Sequence, residues 1–110
     1  MKRTRLVTGV AVAAAAIALA PLAHADYDTD FKNTVNDFGV YGPQDQLAWL
    51  AKIECQRIER GVDHDAHQSA VFLQRNLPLG TTEGQALQFL GAGIDHYCPE
   101  QVGFIQRAGT

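Results

Sequence analysis

The sequence predicts an all-α fold, a small four-helix domain with one disulfide that follows a cleaved signal peptide. Apolar residues recur at steps of three and four, and no stretch alternates between apolar and polar residues as a half-buried strand would. Capping residues and glycines mark the ends of these segments. Two cysteines lie beyond an apolar leader, which places them in an oxidising compartment.

Residues 1–25 have the three parts of a secretory signal peptide. A basic start precedes an uncharged apolar run over residues 6–20, and Ala23-His24-Ala25 supplies the small-residue pattern of a cleavage site. The alternative is a membrane anchor, but a spanning helix needs about 20 apolar residues. Pro21 ends this run early. A cleaved signal therefore fits better than an anchor.

We predict that the bond between Ala25 and Asp26 is cut, leaving residues 26–110 as one helical domain with no stable membrane anchor. The cut removes three of the nine basic residues and none of the twelve acidic ones, so the domain carries a formal charge of −6. Such an acidic domain does not attract nucleic acid or anionic lipid. We expect it to be secreted or associated with the cell envelope.

The first predicted helix begins in an acidic stretch, where carboxylates and the Thr29 hydroxyl can cap it. Phe31, Val35 and Phe38 form its apolar stripe, and Gly39 ends it.

The second and longest helix starts after Pro43 and closes at Gly61, a residue suited to a left-handed C-terminal cap. We expect this helix to be central, with one stripe facing the core: Leu47, Ala51, Cys55 and Ile58. Trp49 and Ile53 lie on its other flank. We expect the first helix or the C-terminal tail to cover Trp49, since large apolar residues are usually buried. An exposed binding surface is the alternative.

The third helix is predicted from about Asp65 to Arg75, and Pro78 and Gly80 break the chain after it. Its apolar stripe comprises Ala66, Ala70, Leu73 and Leu77.

Thr82 and Gln85 fit a capping box at the start of the fourth helix. Gly91 and Gly93 lower the helix propensity of this segment, so we expect a neighbouring helix to approach closely there. No regular structure is predicted for the tail from Glu100 to Thr110, although its apolar residues Val102, Phe104 and Ile105 could pack back onto the domain.

Cys55 and Cys98 are the only cysteines, so they allow one intramolecular disulfide. Chain entropy assigns a loop of this size about 4 kcal/mol of stabilisation before strain. A catalytic thiol or a thiolate metal ligand would require free cysteines, which export disfavours.

Three features together resemble a known family. They are the end of the Cys55 helix at Arg60-Gly61, the run Thr81-Thr82-Glu83-Gly84-Gln85-Ala86-Leu87-Gln88-Phe89-Leu90, and the segment Tyr97-Cys98-Pro99-Glu100. They look like domain of unknown function 732, a family of small exported mycobacterial proteins. The resemblance covers about residues 27–103. It implies an exported helical domain in which Cys55 and Cys98 are the matching pair, and it implies no reaction.

The chain departs from this family pattern at two places. Val71-Phe72-Leu73-Gln74 is bulkier than the alanine-rich segment that the resemblance implies, and His64 and His67 are not family features.

His64 and His67 stand three positions apart and could share a helix face, with Asp63 or Asp65 as further metal ligands. The alternative is a solvated helix start, which we favour. Ser69 is the only serine. Because residues two apart on a helix point to different sides, it cannot form a nucleophilic triad with its neighbours.

His96 and Tyr97 are residue types that serve as axial ligands of haem iron, so a haem or apolar-ligand carrier is a second hypothesis. In the alternative reading, Tyr97 packs in the core and His96 faces water. An internal apolar cavity would favour a carrier, and a solid core would favour surface recognition.

The leading functional hypothesis is a non-catalytic binding protein with no cofactor, whose partner is an unknown protein or envelope component recognised through an apolar face. No paired carboxylates, Cys-x-x-Cys motif or phosphate-binding loop is visible in the sequence, so an enzyme has the least support.

Overall fold

A computed structural model describes residues 26–106 of the chain, and these residues are helical with no strand. The all-α prediction is confirmed, and so are its four helices. The predicted signal peptide and the residue before its cleavage bond lie outside the described residues. The helices are α1 (residues 26–37), α2 (Gln44–Glu59), α3 (Ala66–Asn76), α4 (Glu83–Tyr97) and α5 (Gly103–Gln106), with a 3₁₀ turn at Pro99–Gln101.

Three helix ends use caps as the sequence predicts, whereas Thr29 lies inside α1 and its hydroxyl donates to Gln44 Oε1 at 3.0 Å instead of capping that helix. Gly61 has a φ of +72°, and its N–H together with that of Val62 bonds back to the last turn of α2 in a Schellman arrangement. The Asp65 side chain accepts from an α3 backbone N–H, and Thr82 and Gln85 form the complete capping box of α4. These local bonds fix where each helix begins and ends.

Helix α4, rather than α2, is central, because α2 and α3 both pack mainly against it. Helix α1 joins them through Phe31, whose ring centroid lies 5.3 Å from that of Phe89 in an edge-to-face arrangement. The largest fully buried apolar side chains are Phe31, Phe89, Leu73, Leu90, Ile94, Val35 and Val40.

The contact between α2 and α4 depends on Gly93. A Cβ atom built at Gly93 would lie only 3.2 Å from the Cβ of Ala51, so two small residues let the helices approach. The predicted close approach is therefore confirmed at this glycine. Gly91 faces Ile105 of α5, where a Cβ would make an ordinary contact at 3.8 Å.

The predicted disulfide is confirmed. Cys55 in α2 and Cys98 at the end of α4 are joined, with their Cα atoms 6.0 Å apart and a sequence separation of 43. The bond therefore links the two helices that meet at Gly93.

Two further expectations are wrong. The described part of the tail, residues 100–106, is helical rather than irregular, because Phe104 of α5 is 2% exposed and anchors the segment in the core. Trp49 is 61% exposed instead of covered. The reason is that α1 and α5, the segments expected to cover it, pack against α4 through Phe31 and Ile105. Ile53 is half-buried.

Across residues 26–106, the helices are too short or too polar to span a membrane.

Candidate functional site

A buried polar cluster lies between α2 and α3. We define it as Glu54 and Arg57 of α2, Asp63 of the connection and Ser69 of α3. Arg57 donates to both Asp63 oxygens, from Nε at 3.0 Å and from Nη2 at 2.8 Å. Ser69 Oγ lies 3.0 Å from Glu54 Oε2 and 3.1 Å from Asp63 Oδ2. Three separate segments therefore meet at one serine hydroxyl.

Water and substrates do not reach the centre of this cluster. Glu54 is 2% exposed, Asp63 4% and Ser69 0%. The Arg57 guanidinium lies 3.9 Å from the centre of the Phe72 ring, which covers one of its faces. The second oxygen of Glu54, Oε1, is buried and has no hydrogen-bond partner.

The sequence contained a signal for the burial of Glu54. The buried stripe of α2 runs through Leu47, Ala51, Glu54 and Ile58, at steps of four, three and four. The sequence-based stripe instead passed through Cys55, which is half-buried. A glutamate on an apolar stripe needs a partner, but no local pattern names Asp63 and Ser69 as those partners.

Burial raises the pKa of Glu54 to about 9, and the hydrogen bond and negative charge of Asp63 act in the same direction. Ser69 and the Arg57 charge oppose this rise without cancelling it. Burial also acts to raise the pKa of Asp63, but hydrogen bonds from Arg57, Glu54 and Ser69 outweigh it and leave that pKa below its usual value. The two neighbouring carboxyl groups thus differ in protonation.

A second feature is an open groove beside α2. Its volume is about 180 Å³, and no charged residue lines it. We call it the α2 groove; it is lined by Tyr41, Gly42, Pro43, Gln46, Leu47, Leu50, Asn76, Leu77 and Pro78. Tyr41 is 63% exposed at its edge, and Leu79, which follows Pro78, is fully exposed. Trp49 lies one helical turn after Gln46 on α2 and is exposed, but it does not itself line the groove.

His96 and Tyr97 line a shallow surface recess of about 390 Å³ together with Tyr27, Asp28, Lys52 and Pro99. The Tyr97 hydroxyl donates to Asp28 Oδ1 at 2.6 Å, and His96 Nε2 lies 3.1 Å from the Tyr27 carbonyl oxygen. The Tyr27 hydroxyl donates back to the His96 carbonyl oxygen.

These bonds bear on the haem hypothesis. Iron ligation by tyrosine needs the phenolate, but burial and the Asp28 carboxylate raise the pKa of Tyr97 above its usual value. A carbonyl acceptor requires a proton on Nε2 of His96, which occupies the nitrogen that would bind iron. The Tyr97 hydroxyl and His96 Nε2 are both engaged in hydrogen bonds, so this geometry gives the haem hypothesis no support.

His64 and His67 are both exposed at the start of α3. His67 Nδ1 lies 3.1 Å from Glu83 Oε1 of α4, whereas the backbone N–H of His64 donates to Gln68. The two neighbouring aspartates have other roles, since Asp63 pairs with Arg57 and Asp65 caps α3. Over the described part of the chain, three or more His, Cys, Asp or Glu side chains nowhere cluster as metal ligands would.

The crevice between α2 and α4 has no room for a water molecule. It is lined by Ala51, Glu54, Cys55, Phe89, Leu90, Gly93 and Ile94. The contact through Gly93 and the disulfide on its border explain this tight packing. The α2–α4 contact thus has the solid form that favours surface recognition over a carrier.

A family model described as "Protein of unknown function (DUF732)" matches residues 26–100. The chain belongs to this family. The DUF732 chain is also 65% identical to "Uncharacterized protein MT0585" and "Uncharacterized protein Rv0559c", from two strains of Mycobacterium tuberculosis. Both alignments span 111 positions and cover 100% of this chain and 99% of each relative. No solved structure matches this DUF732 chain significantly.

Proposed function

We propose that this DUF732 protein is an exported, non-catalytic binding protein whose partner is another protein. The observation that carries the proposal is the exposure of Trp49, at 61%, one helical turn after Gln46, which lines the uncharged α2 groove. Exposed tryptophan and tyrosine are enriched at the centres of protein interfaces.

The dimensions and lining of the α2 groove suit one apolar side chain of the partner. Its volume of about 180 Å³ is comparable to that of a single large side chain, and Leu47 and Leu50 supply an apolar floor. Gln46 and Asn76 place amide groups at the same site, where they can hydrogen-bond to a partner's backbone. Tyr41 and Leu79 are exposed beside it and would lose contact with water on binding.

Burial of the polar cluster supports the non-catalytic part of the proposal. A carboxylate, a neutral carboxyl group and a hydroxyl lie together there, but Ser69 is 0% exposed. A reacting group must touch its substrate, so this cluster is closed to chemistry in the folded state.

The experiment places a photo-crosslinking amino acid at position 49 in the native host, with position 102 as the matched control. Val102 is 59% exposed and lies between the 3₁₀ turn and α5, outside α2. We expect one protein to crosslink from position 49 and not from position 102. The purified partner should then bind the wild-type protein at least about tenfold more tightly than Trp49→Ala or Tyr41→Ala variants.

The proposal fails if positions 49 and 102 give the same products, or if the two alanine variants bind the recovered protein as the wild type does. Vesicles of anionic and neutral lipid serve as a second probe. Binding to vesicles that depends on Trp49 would assign the surface to lipid instead of protein.

A further inference from the structure

We propose that Glu54 carries a proton in the folded domain at neutral pH and releases it on unfolding, so that the fold is more stable in mild acid than in alkali.

The geometry of the buried polar cluster requires that one proton be added to it. The Ser69 hydroxyl lies within hydrogen-bonding distance of both Glu54 Oε2 and Asp63 Oδ2, but it has one proton to donate. If both carboxyl groups were ionised, one of these two contacts would bring together two oxygens with no hydrogen between them. A proton on Glu54 Oε2 removes the conflict, because Glu54 then donates to Ser69 and Ser69 donates to Asp63.

Arg57 decides which carboxyl group holds the proton. Its guanidinium forms two hydrogen bonds with Asp63, one to each oxygen, and such a bidentate pair favours the ionised carboxylate. Glu54 has no bond from Arg57 and its Oε1 has no partner at all. A buried carboxylate without a cationic partner is far more costly than a neutral acid in the same position.

The charge of Arg57 and the hydrogen bond of Ser69 lower the pKa of Glu54, but the other groups described around it add no positive charge. Arg57 comes from the same helix, Asp63 from the connection and Ser69 from α3. Helix α4 contributes only uncharged groups, which are Phe89, Leu90, Gly93 and Ile94. The neighbouring Cys55 is held in its disulfide and does not ionise. The raised pKa of Glu54, about 9, agrees with this arrangement.

The sign of the pH dependence follows from linkage. Unfolded Glu54 would have its ordinary pKa, which is 4.5, so the unfolded chain has lost this proton at pH 7. The folded chain retains it until about pH 9. Between these values, folding takes up one proton, and the unfolding equilibrium constant should rise about tenfold for each pH unit.

The test measures urea unfolding of the disulfide-bonded protein from pH 5 to pH 9. The variants are Glu54→Gln, which keeps the shape of the neutral acid, and Glu59→Gln, a matched exposed change on the same helix. We expect wild type and Glu59→Gln to lose stability in parallel as the pH rises. Glu54→Gln should lose at least half of that slope. The proposal is overturned if all three proteins follow the same curve.

A second measurement tests the proposal on the wild-type protein, so it can be made even if Glu54→Gln does not fold. The carboxyl carbons of wild-type glutamates can be followed by ¹³C NMR during titration, with Glu59→Gln used for assignment. The Glu54 signal should stay that of a protonated acid at pH 7. A Glu54 signal with the chemical shift of an ionised carboxylate at pH 7 would overturn the proposal.

Discussion

Helix α2 has two faces that reverse the usual distribution of residues. Its inner face buries Glu54, at 2% exposure, whereas its outer face leaves Trp49 61% exposed. The buried acid is tolerated because Ser69 and Asp63 bond to it and Arg57 neutralises the pair. The exposed ring contributes no comparable packing. The contrast separates a face that maintains the fold from a face that is free to bind.

The two faces also differ in how many chain segments they involve. The inner face joins α2 to the connection and α3 through the cluster, and to α4 through the disulfide. On the outer face, Trp49 is exposed to solvent one helical turn after Gln46, which lines an open groove. Substitutions on the inner face should therefore change stability most, and substitutions on the outer face should change binding most.

The largest effect is expected from the disulfide. Replacing Cys55 and Cys98 together by serine should lower the free energy of unfolding by about 4 kcal/mol, because the unfolded chain regains the freedom of a 43-position loop. Urea unfolding of the oxidised wild type and the double variant measures the difference. Two free thiols in the exported protein, found by mass analysis without reductant, would contradict this prediction.

Arg57→Met should be the next most damaging change, at about 3 kcal/mol at pH 7, because it leaves the Asp63 carboxylate buried without its cation. Arg60→Met is the matched control, since Arg60 is exposed at the end of the same helix. The control should unfold nearly as the wild type does. If both variants lose the same free energy of unfolding, the buried pair of Arg57 and Asp63 stabilises the fold no more than an exposed arginine does.

Ser69→Ala should cost about 1–2 kcal/mol, because both carboxyl groups lose the hydroxyl between them. The cost should shrink in a Glu54→Gln background, where the amide can donate directly to Asp63. Additive effects of the two changes, measured in a double-mutant cycle, would argue against a shared network. Thr34→Ala, which removes an exposed hydroxyl bonded to a backbone carbonyl, is the control.

Replacing His64 and His67 together by glutamine should change the free energy of unfolding by less than about 1 kcal/mol. The pair His67 and Glu83 is exposed on both sides, and exposed ion pairs contribute little. Thermal unfolding with and without a chelator measures both stability and any metal dependence. A melting temperature lowered by several degrees, or by the chelator, would restore the metal hypothesis.

The helices could be predicted because their signals are local. Gly61 follows directly after α2, and Thr82 lies three residues before its Gln85 partner, so a short window of sequence contains the whole cap. The disulfide was predictable for another reason, since two cysteines allow a single pairing. Nothing about these features depends on how the helices pack.

The candidate sites were harder to predict because they depend on packing. The cluster joins Glu54 to Ser69, 15 positions away on another helix, and sequence shows neither the distance nor the direction. Trp49 appeared to need a cover, but the available segments pack on α4 instead. The sequence offered Val102, Phe104 and Ile105 as tail residues that could pack on the domain, but only the fold shows that Phe104 enters the core while Val102 stays exposed.

The smallest effect on stability is expected at Trp49, and this position gives the sharpest test of the contrast between the inner and outer faces of α2. Trp49→Ala removes a ring that is 61% exposed, and alanine has the higher helix propensity, so the free energy of unfolding should change by no more than about 0.5 kcal/mol. Leu50→Ala is the matched change at the next residue, which is 2% exposed and should cost about 2–5 kcal/mol. If Trp49→Ala destabilises the domain as much as Leu50→Ala does, the ring packs in the native fold and the outer face of α2 is not a free binding surface.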